Sequence, residues 1–125
     1  MNIKIITETI GEVLVEIDEK TNPKTVKAIL NALPFESIAN RWGDEVYFET
    51  PVKVEEENSI QEVEIGTVAY WPPGNALCIF FGKTPVSRGE KPRAYSPVNV
   101  IGKIIGDAKI FKKVKSGDKI KVEKA

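Results

Sequence analysis

Alternation of apolar and polar side chains, repeated in short runs along most of the chain, is the feature that most limits what this sequence can fold into. Ile3 and Ile5 alternate with Asn2 and Lys4, Val13, Val15 and Ile17 with Leu14, Glu16 and Asp18, and Ile120 and Val122 with Lys119, Lys121 and Glu123. Successive side chains of a strand point to opposite faces, so a period of two buries one face and wets the other. Strand character returns at residues 45–49, around Val52 and Val54, around Val63 and Ile65, and over residues 98–105 with a break at Gly102. Two runs, 68–71 and 76–81, are apolar throughout. They flank Pro72-Pro73-Gly74-Asn75, a turn by composition, and read as a hairpin buried on both faces.

Only residues 23–33 carry convincing helical spacing. Val26, Ile29, Leu30 and Leu33 fall at i, i+3, i+4 and i+7, with Asn22 placed as N-cap, Pro23 at the first helical position and Pro34 as the stop. Residues 35–41 are read as a short second turn of helix, 82–97 as a Pro- and Gly-containing surface loop, and 109–114 as either strand or helical turn. At 125 residues one core can hide roughly two-thirds of the surface that the unfolded chain exposes. The expectation is a single, mainly β domain over residues 1–125, closed into a barrel because so many strands must share one small core.

Composition removes several classes of function. The chain has no His, which excludes the Ser-His-Asp triad, the Cys-His pair and every His-ligated metal site. Cys78 is the one cysteine; it cannot form an internal disulfide, and its apolar flanks mark a buried, inert thiol in a reducing compartment. Eighteen basic and eighteen acidic side chains leave no net charge, which argues against nucleic acid or an anionic membrane as partner. No apolar run reaches the ~18 residues of a membrane span, and the start resembles no export signal, so the expected location is the cytoplasm. Fifteen Lys and fourteen Glu form a bias of the kind that favours ion-pair networks at high temperature, and so predict a thermostable chain. The charge is uneven: residues 44–64 hold eight acidic residues and one Lys, residues 109–125 seven Lys and two acidic residues. Neighbouring strands paired by charge, or two patches guiding subunit association, would each explain this.

Residues 66–85 (GTVAYWPPGNALCIFFGKTP), residues 98–104 (VNVIGKI) and residues 41–48 (RWGDEVYF) resemble a family of small prokaryotic cyclophilin-like proteins of unassigned function. Weaker similarity to the peptidyl-prolyl isomerase cyclophilins covers residues 11–17, the helix opening at 23–26, Phe80-Phe81 and residues 100–103. The resemblance implies an eight-stranded closed barrel. It also implies a proline pocket in which Phe81 is the second aromatic of the Phe-Phe pair and Arg41 polarises the amide. The chain departs from the isomerases in lacking their pocket His and Gln, and in placing Tyr70-Trp71-Pro72-Pro73 where they have a small groove for peptide backbone.

Arg41, Trp42, Asp44 and Glu45 form the leading candidate cluster. A forked donor stacked on an aromatic face suits an anionic or amide-bearing ligand, while pairing of Arg41 with Glu45 and plugging of the barrel end by Trp42 would be purely structural. Among the aromatics, which are mostly core, Tyr47, Tyr70, Trp71 and Phe81 are the positions expected at a hollow. The segment with Arg88, Arg93 and Tyr95 could cover it. The binding set is thus Arg41, Trp42, Glu45, Tyr47, Tyr70, Trp71 and Phe81, with neither cofactor nor metal expected. The acidic triplet Glu55-Glu56-Glu57 is read as solvated. The favoured function is a non-enzymatic module for a small molecule or short proline-containing peptide; the alternatives are an isomerase using Arg41 and a structural module that forms a homodimer.

Overall fold

The computed structural model describes residues 1–125. Ten strands and one α-helix follow in the order β1 (Asn2–Thr7), β2 (Gly11–Ile17), α1 (Pro23–Ala32), β3 (Phe35–Ile38), β4 (Asn40–Arg41), β5 (Glu45–Glu49), β6 (Ile60–Glu62), β7 (Thr67–Trp71), β8 (Ala76–Phe80), β9 (Arg93–Ile104) and β10 (Lys119–Lys124). Short 3-10 turns occupy Pro72–Gly74 and Ala108–Lys113. All pairings are antiparallel, in the order β3-β10-β1-β2-β9-β7-β8-β5-β4, with β6 attached to β9. No helix is long and apolar enough to cross a membrane.

The architecture is mainly β with one principal helix, but the sheet has ten strands and no hydrogen-bonded seam, unlike the eight-stranded closed barrel expected. Its two end strands, β3 and β4, are consecutive pieces of one stretch. At Ala39 the backbone leaves the ladder with β10, bonding instead to the turn at Gly117 and Asp118, and then joins β5. The second helical turn expected at 35–41 is therefore extended chain: Phe35 is buried and Glu36 exposed, a period of two that pairs Phe35 with Val122 across β10.

Other expectations shift by similar logic. The loop predicted over 82–97 ends at Pro92, because Ala94 and Val98 are buried on β9. Around Val52 and Val54 there is no strand; there the Tyr70 hydroxyl donates to the Val52 carbonyl at 2.8 Å and accepts from Val54 N–H at 3.1 Å. The strand expected around Val63 lies at Ile60–Glu62, and residues 108–113 form a 3-10 turn. The basic tail does not face the acidic middle, since β10 lies between β1 and β3 and its Glu123 pairs with Lys4 and Lys121.

The helix is capped from a distance. Asn22 makes no capping bond; its amide donates to the Val100 carbonyl and its carbonyl oxygen accepts from Asn58 N–H. Glu57 reaches across instead, accepting from Lys24 N–H, Thr25 N–H and the Thr25 hydroxyl at 3.0–3.1 Å. Desolvation pushes the Glu57 pKa up, but these hydrogen bonds and nearby Lys24 outweigh it and hold the carboxyl below its ordinary value. One member of the acidic triplet is thus a structural cap.

Apolar residues divide between the two faces of the sheet. Val68 and Tyr70 of β7, Leu77 and Ile79 of β8, and Val46 and Phe48 of β5 join the main core under α1. Their alternates Ala69, Cys78 and Phe80 join a second, smaller cluster with Val63, Ala94 and Val98, against which Tyr47 and Trp71 pack. The unbroken apolar runs of β7 and β8 arise because both faces are covered. Where β9 pairs with β2, Gly102 admits close contact: a Cβ there would clash with the Glu16 carbonyl oxygen.

Candidate functional site

The second face carries the site. β5, β7, β8 and β9 lie side by side in the sheet, and their outward side chains surround a cavity of about 180 Å³. Its walls are Trp42, Tyr47, Trp71, Tyr95, Cys78, Ala94 and Val98, and Glu45 is the one polar residue among them. Period two brings them together: Glu45 and Tyr47 alternate with the inward Val46 and Phe48, Cys78 with Leu77 and Ile79, and Trp71 with Tyr70.

The Trp42 wall depends on a tight turn. Trp42 and Glu45 exchange backbone hydrogen bonds at 3.0 and 3.2 Å, and Gly43 adopts the left-handed φ of 58° that this two-residue connection needs. The turn is fastened to the next segment by Asp44 N–H to the Lys83 carbonyl and Phe81 N–H to the Asp44 carbonyl, both 2.9 Å. Trp71 is held by its indole N–H, which donates to the Ser96 hydroxyl at 2.7 Å, and its ring fits because residue 74 is Gly; a Cβ there would come within 2.6 Å of it. Tyr95 touches both indoles edge-on, with centroids 6.1 Å from Trp42 and 6.2 Å from Trp71, and is itself 69% exposed.

Glu45 is only 6% exposed. Burial pushes its pKa up from 4.5 to about 7, with the neighbouring Cys78 thiol drawing it partly back. Burial, and then the Glu45 charge, push the thiol well above its ordinary value, so Cys78 is not an activated nucleophile. No group of three or more Cys, Asp or Glu side chains converges on a metal site.

Of the residues expected at a site, the fold gathers Trp42, Glu45, Tyr47 and Trp71 around one cavity and leaves three elsewhere. Tyr70 and Phe81 belong to the main core. Arg41 stands outside the lining and does not pair with Glu45. Its Nε and Nη2 donate to the Gly43 carbonyl, its Nη1 donates to the Lys112 and Val114 carbonyls, and Asp44 lies 3.7 Å from Nη2. The guanidinium also stacks 5.0 Å from the Phe81 ring centre. Sequence reasoning missed Ala94, Val98 and Cys78 as lining residues; for Cys78 the signal was its alternation with Leu77 and Ile79.

The order of strands, the single helix packed on one face and the alternating apolar pattern define a cyclophilin-like fold, and residues 1–123 match the Cyclophilin-like family model. The chain belongs to the cyclophilin-like family. It is similar to a hypothetical protein from Archaeoglobus fulgidus known from a solution structure, with 52% identity and a TM-score of 0.86 over 100% of this chain and 95% of that one. The comparison with curated proteins found no match.

Proposed function

We propose that this protein is a binding module whose outer-face cavity takes up a small molecule, or one side chain of a short peptide. The observation that carries this reading is an aromatic-walled hollow with one buried carboxyl group turned to it. Its volume, about 180 Å³, is near that of a cavity of about 150 Å³ that holds benzene, so the bound group is one ring or a compact head and not a dinucleotide. The isomerase alternative draws less support, because the N–H groups of Arg41 are already directed at protein acceptors. The test is a titration with single-ring and compact aliphatic compounds, followed by tryptophan emission. The two tryptophans of the chain, Trp42 and Trp71, both line the cavity, so their emission reports on it. A saturable change, weakened in Tyr95→Ala, is expected; silence across the whole panel would refute the binding reading.

A further inference from the structure

Resting on the reading of the cavity as a binding pocket, we propose that its ligand is a small organic cation, an alkylated ammonium head held between the Glu45 carboxylate and the aromatic faces of Trp42, Tyr47, Trp71 and Tyr95.

The walls have the required electrostatics. An aromatic ring is negative over its face, and the attraction of that face for a cation strengthens when water is excluded. Tyr95 meets Trp42 at an interplanar angle of 71° and Trp71 at 85°, so the rings form adjoining sides of a box and not a stack. A stack would suit a flat heterocycle; a box suits a rounded head. Four aromatic side chains among eight lining residues give such a head faces on several sides.

Glu45 supplies the second, independent observation. It is a buried acid for which the protein provides no counter-charge: the influences on it are its burial and the Cys78 thiol. The titratable groups around the cavity are Tyr47 on its own strand, Cys78 on β8 and Tyr95 on β9, while β7 contributes Trp71 and the β4–β5 turn Trp42. None is cationic. The nearest guanidinium in sequence, Arg41, is directed to Gly43, Lys112, Val114 and Asp44. A buried carboxylate without a partner is unfavourable, and a cation in the box supplies that partner. An anion would meet both the carboxylate and the negative ring faces. A neutral apolar guest would supply no counter-charge to the ionised carboxyl.

Binding of a cation selects the ionised form of Glu45, which near neutrality is only partly populated in the free protein. The complex therefore forms with release of a proton, and acidification weakens it.

The test uses choline and its uncharged carbon isostere dimethylbutanol, titrated into the intact protein with tryptophan emission as readout. At about pH 8 choline is expected to bind at least roughly tenfold more tightly than the isostere. Lowering the solution to about pH 5 should weaken choline by more than about tenfold and leave the isostere unchanged. Glu45→Gln, which keeps the shape, should abolish the preference. Tyr95→Ala, at an exposed position, should weaken choline without threatening the fold. Equal or tighter binding of the isostere to the wild-type protein would overturn the cation assignment and leave the pocket reading standing. Silence towards choline, with another compact compound binding, would do the same; silence towards all compounds would remove the pocket reading as well.

Discussion

Replacing Glu45 by Gln keeps the shape of a buried side chain and removes its ability to ionise, which makes stability against pH a direct measure of what burial does to this carboxyl. In the folded protein its pKa is raised from 4.5 to about 7. Below the unfolded value both states hold the proton and Glu45 costs nothing. Between the two values the unfolded chain has released the proton while the folded one keeps it, so stability falls as pH rises. Above the folded value both are ionised and the full penalty persists. Each pH unit in that window costs about 1.4 kcal/mol, so the whole interval is worth about 3 kcal/mol. Glu45→Gln should therefore match the wild type at about pH 4.5 and exceed it by about 3 kcal/mol at about pH 8. With a urea slope of about 1.5 kcal/mol per molar, that is a midpoint raised by about 2 M. Equilibrium urea unfolding followed by far-ultraviolet circular dichroism at three pH values measures it. The two proteins differ only at position 45, so the difference between their profiles isolates that carboxyl, and a chain without His adds no imidazole to the upper part of the window. Parallel pH profiles for the two proteins would refute the reasoning.

Two further variants address residues whose roles the fold reassigns. Glu57→Ala removes the acceptor for two helix N-terminal N–H groups and should cost about 1 kcal/mol near neutral pH, read as a lower urea midpoint. Because the Glu57 pKa is depressed, its contribution is present above the ordinary carboxylate range and lost as pH falls through the folded value, so the two proteins should converge in acid; a gap that persists at low pH would count against the cap. Arg41→Ala strips donors from the carbonyls of Gly43, Lys112 and Val114 and should cost about 2–3 kcal/mol, with Arg41→Lys recovering little because it lacks the planar fork. In a protease-coupled assay on a proline tetrapeptide, the wild-type rate should equal the uncatalysed one. A wild-type rate that Arg41→Ala abolished would restore the isomerase alternative.

Legibility followed the range of the interactions. The strands at 2–7, 11–17, 45–49, 67–71 and 76–80 show in their own spacing, and so does the helix, because its apolar stripe and Pro23 are local features. Residues 35–41 read as helix because Phe35 and Ile38 stand three apart, a helical spacing; in the strand the two point to opposite faces, Phe35 buried and Ile38 exposed, and only pairing with β10 decides it. The local sequence points to Asn22 as the cap because the acceptor that the fold uses, Glu57, arrives from a distant segment. At the site, Trp42, Glu45, Tyr47 and Trp71 were legible as polar or aromatic residues beside turns. Arg41 and Tyr70 carry the same kind of signal and point to other duties, the one clamping carbonyls and the other bonding Val52 and Val54. What separated them was the parity of strand position, which matters only once both faces of the sheet are known to be covered.

That parity has a consequence for how such a protein can diversify. Tyr47, Trp71 and Cys78 alternate with Phe48, Tyr70 and Leu77, so the residues that define the cavity and those that hold the main core are interleaved on the same strands yet share few neighbours. Because successive side chains of a strand point to opposite faces, a substitution on the outer face leaves the packing partners of the inner face in place. A lineage can therefore exchange the contents of the outer face, and with them the compound it accepts, while the inner face goes on folding the same chain.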